Sequence, residues 1–457
     1  MLKIAVLGTG YVGLTTGIGL ANFGCNVLCL DIDESKIANL KQGKMPIYEP
    51  GMEEVLHHNI QENRLNFSCD INTGILWAEI VFIAVGTPQG EDGRADLSAV
   101  YQAAEMIGRN LNNYKVVITK STVPIGTNEK IKEIIGRHSR QNFDIVSNPE
   151  FLREGRALYD FLHPDRVVIG TETNRPLEII RKIYRPLYLN EVPFVFTDLR
   201  TAELIKYSSN CFLATKVAFI NELARLCDVV GADIQTVAYA LGKDGRIGGK
   251  FLHPGPGFGG SCFPKDTRAL CAMARDLGMP LEIIETVIES NQAQKFYMVH
   301  KIKKFMKGLA DKKIAILGLA FKSDTDDIRE SPALIIVDQL LAERAVISVY
   351  DPQAMGNARK IWGNRISYCK NEYEAVSQAD GTVILTEWNQ FRNLNLEKIA
   401  SLMRGKYFFD FRNIYKWNEV EASGLIYVGI GNRQRPEEND SYKQSWLQSA
   451  SAKENGE

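Results

Sequence analysis

No two cysteines of this sequence are spaced Cys-x-x-Cys, and no cysteine/histidine group has the spacing of a zinc site, although eight cysteines occur, at 25, 29, 69, 211, 227, 262, 271 and 369. That scatter excludes a disulfide scaffold and leaves no metal site to expect. It reads instead as reduced thiols in a cytoplasmic protein. No stretch approaches the ~20 apolar residues of a membrane-crossing helix. The apolar opening run, Ile4 to Leu7, ends in a glycine turn and has no small-residue cleavage site, so it is not a secretory leader. Charge of either sign is not in excess: 54 Lys and Arg stand against 55 Asp and Glu, a net charge of -1. A chain so balanced presents no general surface to nucleic acid or to an anionic membrane, and any anion site must be local.

What is present is core material. The 457 residues are 45% hydrophobic, more than one core usually gathers, so two or three domains are expected. Short β-branched runs at Ile4 to Leu7, Val27 to Leu30, Ile80 to Ala84, Val116 to Thr119, Ile145 to Val146 and Val167 to Ile169 alternate with helical patterns, the sequence form of an α/β doubly wound parallel sheet. The first five are followed by short polar segments: Gly8, Asp31, Gly86-Thr87-Pro88, Ser121-Thr122-Val123-Pro124 and Asn148-Pro149-Glu150. Residues beyond the carboxyl ends of parallel strands line the ligand crevice, so these segments should converge.

From Asp198, an N-cap, one apolar helical pattern runs for some thirty residues, and more helix is expected from Thr267 to about Lys307. A helix of that length has surface to spare for a homodimer. The strand and turn Lys3-Ile4-Ala5-Val6-Leu7-Gly8 then recur as Lys313-Ile314-Ala315-Ile316-Leu317-Gly318, with Asp351 matching Asp31. The copy lacks the second and third glycines of the first, and its next helix is expected at Ser331-Pro332, an N-cap and N1 pair. The expected organisation is a dinucleotide-binding Rossmann domain over 1–197, a helical dimerisation domain over 198–308, a second Rossmann-like domain over 309–430, and a polar tail over 431–457.

Gly8-Thr9-Gly10-Tyr11-Val12-Gly13 has the dinucleotide fingerprint Gly-x-Gly-x-x-Gly in its proper context, after a strand and before a helix. The glycines at 8, 10 and 13 allow the tight turn, the approach of a pyrophosphate and the packing of the helix, while Asp31 should accept from ribose hydroxyls and repel a 2'-phosphate, selecting NAD. Lys36 argues the other way, as a cation able to tolerate that phosphate, or it is a solvated helix lysine.

Cys262 lies in Gly259-Gly260-Ser261-Cys262-Phe263-Pro264-Lys265-Asp266, with Gly255 and Gly257 just upstream. The glycines permit close approach to a ligand, and Lys265 together with a helix starting near Asp266 would lower the thiol pKa. A thiolate answers a definite need when an alcohol is oxidised to an acid: it makes the intermediate aldehyde tetrahedral, so that a second hydride can leave and a thioester result. The other seven cysteines lack this setting and are assigned to packing. Lys206 and Asn210 share a helical face and suit an oxyanion. Asp266 holds a catalytic water or caps its helix; Glu154 is a base toward water or a surface carboxylate; Thr122 binds the same water or serves a turn. Lys322 and Arg329 flank Asp324 to Asp327 and either bind an anionic nucleotide or pair with those aspartates.

The segments Phe251 to Asp266, Glu203-Leu204-Ile205-Lys206-Tyr207-Ser208-Ser209-Asn210 and Gly318-Leu319-Ala320-Phe321-Lys322 resemble the UDP-glucose/GDP-mannose dehydrogenases, and the resemblance extends over residues 1 to about 430. Beside the fingerprint residues Gly8, Gly10, Tyr11 and Gly13, it implies that Val12, Asp31, Lys36, Thr87, Thr122, Glu154, Lys265 and Arg329 contact NAD. It places Phe151, Leu152, Arg153, Glu154, Lys206, Asn210, Phe251, Leu252, His253, Pro254, Gly255, Gly259 and Lys322 at a nucleotide sugar. Cys262 is implied as nucleophile, assisted by Lys206, Asn210 and Asp266, with Glu154 serving thioester hydrolysis and Arg246 reaching a neighbouring subunit's sugar nucleotide. The reaction implied is four-electron oxidation of UDP-glucose to UDP-glucuronate. GDP-mannose or a UDP-N-acetylhexosamine is the alternative substrate. The rival readings are a two-electron hydroxy-acid dehydrogenase, in which Cys262 merely packs, and a nucleotide-binding sensor without turnover.

Overall fold

The computed structural model describes residues 1–432. The polar tail expected from 431 therefore lies outside the described residues except at its start. There Gly431 is buried, donating to Asp228 Oδ1 at 3.0 Å and accepting from Ile234 N–H at 2.8 Å, so the folded chain reaches at least that far.

The chain divides into two compact units, Met1–Asn210 with Arg268–Pro280, and Cys211–Thr267 with residues from Leu281 onward. In the first unit the strands are β1 (Lys3–Leu7), β2 (Asn26–Leu30), β3 (Leu65–Ser68), β4 (Ile80–Ile83), β5 (Lys115–Thr119), β6 (Phe143–Ser147), β7 (Val167–Thr171) and β8 (Phe194–Thr197), paired in the order β3-β2-β1-β4-β5-β6-β7-β8. Alternation along β1 sends Ile4 and Val6 into one apolar core and Ala5 and Leu7 into another, so both faces of the sheet are covered. The strand order reverses between β1 and β4, which opens a crevice at their carboxyl ends.

Every expected strand is present, but the sheet is not parallel throughout. β1 to β6 are parallel, whereas β7 pairs antiparallel with β6, and β8 runs with β7. The connection after β6 carries the segment from Asn148 to Glu154 and one short helix, Ala157–Leu162, before turning back. β3 and β8 escape the sequence reading because they are four residues each and only partly apolar.

The second unit holds β9 (Lys313–Leu317), β10 (Val346–Tyr350), β11 (Ser367–Tyr368), β12 (Gly381–Ile384), β13 (Tyr407–Asp410) and β14 (Ile426–Val428), parallel in the order β11-β10-β9-β12-β13-β14. This is the second Rossmann-like sheet announced by the repeated strand. Ser331 caps the helix Pro332–Ala342 as expected, accepting from Ala333 N–H at 3.3 Å.

The long helix is Leu199–Val230, 32 residues, which at ~1.5 Å per residue extends ~48 Å. Asp198 caps it, accepting from Thr201 N–H at 2.8 Å and from its hydroxyl at 2.7 Å. The helical stretch expected from Thr267 to Lys307 is two helices, Phe263–Asp276 and Glu282–Met306. Gly278, at φ 72°, and Pro280 break it, the first by a left-handed turn and the second by its missing N–H.

Candidate active site

In the first unit the fingerprint turn divides its three glycines between two tasks. Gly8 has φ 96°, and a Cβ there would lie 2.7 Å from Ala84 O; at Gly13 a Cβ would lie 2.0 Å from Gly8 O. Both are glycine because the protein itself fills the space. At Gly10, and at Gly86 after β4, a Cβ would meet nothing within 4 Å. Gly10 heads the helix Tyr11–Asn22, whose first turn has neither a side-chain cap nor an acidic residue, so no side chain takes its first N–H groups at the positive end of the helix dipole. A pyrophosphate fits that seat.

Asp31, after β2, binds the turn directly. Its Oδ2 accepts from Thr9 N–H at 2.8 Å, the Thr9 hydroxyl at 2.6 Å and Lys36 Nζ at 3.2 Å, while Oδ1 accepts from Asp33 N–H at 3.1 Å. Burial works to raise its pKa, but the Thr9 bonds, the Asp33 N–H and the Lys36 charge outweigh burial and hold the carboxyl below its ordinary value. Asp31 is thus an ionised acceptor with room at Oδ1 for a ribose hydroxyl. Lys36, the residue that argued for a 2'-phosphate, is paired with Asp31, which favours NAD over NADP. Thr87 donates its hydroxyl to the Thr122 carbonyl at 3.0 Å, joining the segments after β4 and β5.

Behind these segments lies a buried charged cluster that sequence reading only partly located. Lys206 Nζ stands 3.2 Å from Glu150 Oε1, with their side chains 4% and 5% exposed. Glu150 also accepts from Leu152 N–H at 2.5 Å, so the start of the Phe151–Glu154 segment is tied to the lysine's partner. Lys120 lies beside them, donating to Asn148 Oδ1 at 3.1 Å, and Tyr184 donates to the same oxygen at 2.6 Å. Burial pushes the Lys120 amine down to about 8, opposed by the charge of Glu150 and aided by that of Lys206. Glu150 was legible as a strand-end residue; Lys120, inside an apolar strand end, was not. Asn210 is buried one turn beyond Lys206. Phe151 is stacked under Arg166, whose guanidinium carbon is 3.5 Å from the ring centroid, with Lys206 Nζ at 5.4 Å. Arg153, expected at a nucleotide sugar, is engaged in a bidentate pair with Asp160 at 2.8 and 2.5 Å.

In the second unit Cys262 is half-buried, and its carbonyl accepts from Asp266 N–H at 2.9 Å, the first bond of the helix Phe263–Asp276. The helix starts three residues earlier than the sequence suggested, which puts the thiol at its head rather than one turn before it. There the dipole favours a thiolate. Lys265 is not available in the simple way expected, because its Nζ is 2.6 Å from Asp266 Oδ1. Asp266, in the first turn and 1% exposed, does not cap the helix. The deep thiols behave differently: burial pushes Cys25 up to about 11 and Cys29 up to about 12, so they stay protonated.

The glycines before Cys262 also have a cause within the protein itself. A Cβ at Gly257 would lie 2.9 Å from Asn291 Oδ1, at Gly259 2.4 Å from Glu330 O, and at Gly260 2.8 Å from the Phe321 ring. These residues are glycine so that the loop can lie on its own protein. Gly260 N–H bonds to Arg329 O at 2.8 Å, so the thiol loop rests on the turn after β9, beside Lys322 and Arg329. Gly255 is likewise bound, donating to Asn221 Oδ1 and accepting from Gln294, both at 2.8 Å. Leu252 packs in the core and leaves only its backbone for a ligand, while His253 is exposed. Phe251 has φ 65°, an outlier for an aromatic residue and the kind of strain that gathers at binding sites.

For Arg329 the structure answers the open question of pairing. Its guanidinium binds Asp327 at 2.9 and 2.7 Å, yet the side chain is 64% exposed. Lys322 Nζ stands 5.5 Å from the Phe321 ring centroid. Arg246 is paired with Asp244 at 2.5 Å and is 89% exposed. No His/Cys/Asp/Glu group fit for a metal occurs among the described residues, and no helix among them is long and apolar enough to cross a membrane.

Three family profiles match the chain in order: the NAD binding domain of the UDP-glucose/GDP-mannose dehydrogenase family at residues 2–188, its central domain at 200–293 and its UDP binding domain at 315–417. A UDP-glucose 6-dehydrogenase of Rhizobium meliloti is 48% identical over 435 residues, 94% of this chain and 99% of its own. UDP-glucose 6-dehydrogenase TuaD of Bacillus subtilis is 45% identical, over 94% of this chain and 93% of its own. Of solved structures, a UDP-glucose dehydrogenase from Pyrobaculum islandicum matches with a TM-score of 0.89 at 38% identity, over 94% of this chain and 98% of its own. A UDP-D-ManNAc dehydrogenase from Pyrococcus horikoshii matches with a TM-score of 0.81 at 28% identity, over 94% and 99%.

The two kinds of glycine in the fingerprint predict opposite defects. Gly10→Ala keeps the melting temperature within about 2 °C but weakens NAD binding at least about tenfold, because the methyl group occupies the phosphate seat. Gly13→Ala costs about 3 kcal/mol of stability through collision with Gly8. Calorimetry of both variants checks this; unchanged NAD affinity in Gly10→Ala means that the open face is not the seat.

Proposed function

The chain belongs to the UDP-glucose/GDP-mannose dehydrogenase family, and on that premise we propose that it oxidises UDP-glucose at C6 to UDP-glucuronate with NAD, through a covalent adduct on Cys262. When bound, NAD supplies the hydride acceptor for each of the two oxidation stages, and a second NAD must replace the reduced first. The residues fitted to hold it are those of the open fingerprint turn, with Asp31 at the ribose.

The chain's own groups carry the rest. Lys206 and Asn210 stabilise the C6 oxygen as its proton passes to the water assigned to Asp266 in the first stage. The Cys262 thiolate then adds to the aldehyde carbon, forming the C–S bond of a thiohemiacetal whose oxygen the same two side chains hold. Loss of the second hydride from that carbon leaves a thioester. Glu154 takes a proton from water as the water attacks the acyl carbon, and the C–S bond breaks to return the thiolate. Asp266 and Thr122 are assigned to the water. Lys322 and the backbone of Phe251 to Gly255 are assigned to the nucleotide sugar.

The observation that carries this reading is the place of Cys262: a half-exposed thiol at a helix head, on a loop bonded through Gly260 to the turn after β9 that carries Lys322 and Arg329. A hydroxy-acid dehydrogenase has no use for it, and neither has a sensor. Among the sugars, UDP-glucose is favoured because identity is 38–48% to relatives named for it and 28% to the N-acetylmannosamine enzyme. A reactive thiol also suits the reducing cytoplasm.

One helical face supports a homodimer. Phe212, Phe219 and Leu226 recur every seven residues on Leu199–Val230 and are 65%, 49% and 54% exposed, a seam that a second copy would cover. Arg246, 89% exposed, is assigned to that copy's substrate.

Two equivalents of NADH per UDP-glucose are expected from the unmodified enzyme. Cys262→Ser should lose at least about a thousandfold in turnover while still binding NAD. One equivalent, or an active serine variant, returns the choice to the two-electron dehydrogenase. For the seam, Phe219→Glu should convert a dimer to a monomer in light scattering; an undisturbed dimer, or a monomeric unmodified protein, removes that part of the proposal.

A further inference from the structure

Glu49 lies in the segment between the helices Glu34–Lys41 and Met52–Gln61, without any motif to mark it, yet it is 6% exposed and gathers donors from two distant parts of the first unit. Its Oε2 accepts from the Tyr11 hydroxyl in a short contact and from Gly155 N–H at 2.7 Å; its Oε1 accepts from Ala157 N–H at 2.7 Å. The Tyr11 oxygen also accepts from Gly155 N–H at 2.9 Å. Burial, then the bond to and charge of Glu49, then the charge of Glu154, hold the Tyr11 phenol protonated, so the tyrosine is the donor toward Glu49 and lies within the field of Glu154. Gly155 N–H belongs to the rigid peptide plane that begins at Glu154. One carboxylate therefore fixes both the residue after Gly10, at the head of the dinucleotide helix, and the backbone that carries Glu154.

We propose that Glu49 is a positioning residue for the hydrolytic half of the reaction, clamping the Glu154–Gly155 peptide to the cofactor turn so that Glu154 is held toward its water. The inference rests on the thioester reading above. Glu49→Gln preserves volume but puts an NH2 group where a carboxylate oxygen accepted, so the clamp opens while Cys262, Lys206 and Asn210 are untouched.

The test is rapid-quench kinetics with UDP-glucose and NAD, with mass spectrometry of the Cys262 peptide. In Glu49→Gln the first NADH should form within about threefold of the unmodified rate, steady turnover should fall by about twentyfold or more, and acyl-enzyme should accumulate on Cys262. Tyr11→Phe, which removes a single oxygen, should shift the partition the same way by a smaller factor; it carries the test if Glu49→Gln does not fold. Equal slowing of both stages with no acyl-enzyme, or an unchanged partition, overturns the role. Glu154→Gln is the control: if it accumulates acyl-enzyme and Glu49→Gln does not, the proposal fails alone, and if neither does, the thioester reading fails beneath it.

Discussion

A side chain at residue 257, 259 or 260 would collide with Asn291, with Glu330 or with Phe321, and that prohibition fixes the path of the chain into Cys262. With those side chains absent, Gly260 can bond to Arg329 and Gly255 to Asn221 and Gln294. The loop then has one route, and it ends where the helix Phe263–Asp276 begins. The setting of the Cys262 thiol is thus a consequence of packing: the sulfur stands at a helix head because the glycines before it let the backbone lie against Asn291, Glu330 and Phe321. A loop so constrained keeps the sulfur in one place, which is what the covalent role proposed for Cys262 would require.

The same economy appears in the two sheets. Each has a glycine with φ 96° after its first strand, Gly8 and Gly318, and an aspartate after its second strand that accepts from the N–H groups of that turn. Asp31 does this half-exposed beside an open glycine. Asp351 does it fully buried, its Oδ2 taken by Leu319 N–H at 2.7 Å, Ala320 N–H at 3.0 Å and Trp388 Nε1 at 3.1 Å, its Oδ1 by Gln353 and Ala354 at 2.9 and 2.7 Å. One geometry is kept for a ligand in the first unit and closed as a structural lock in the second. What separates them is Gly10, with empty space before it, against Ala320 in the copy.

Strand periodicity and the repeated Lys-Ile-Ala turn made both sheets legible, since buried parallel strands announce themselves as β-branched runs. The antiparallel return of β7 was not legible, because direction depends on where the chain goes after Glu154 and not on the composition of the strand. For the site, the residue types at strand ends and around Cys262 carried the reading. What they could not carry was who pairs with whom: that Lys265 meets Asp266, that Arg153 meets Asp160, or that Lys120 and Glu150 surround Lys206. Glu49 is the extreme case, since the role proposed for it lies wholly in contacts with residues 38 to 108 positions away.

If the head of that helix makes Cys262 the reactive thiol, its chemistry should set it apart from the other half-exposed cysteines, Cys69 and Cys369. The direct measurement is iodoacetamide alkylation near neutral pH, followed site by site by peptide mapping with and without UDP-glucose. The account predicts that Cys262 is modified at least about ten times faster than either of the others and is protected by the sugar nucleotide. Modification of Cys262 no faster than Cys69 or Cys369, with no protection, would contradict it.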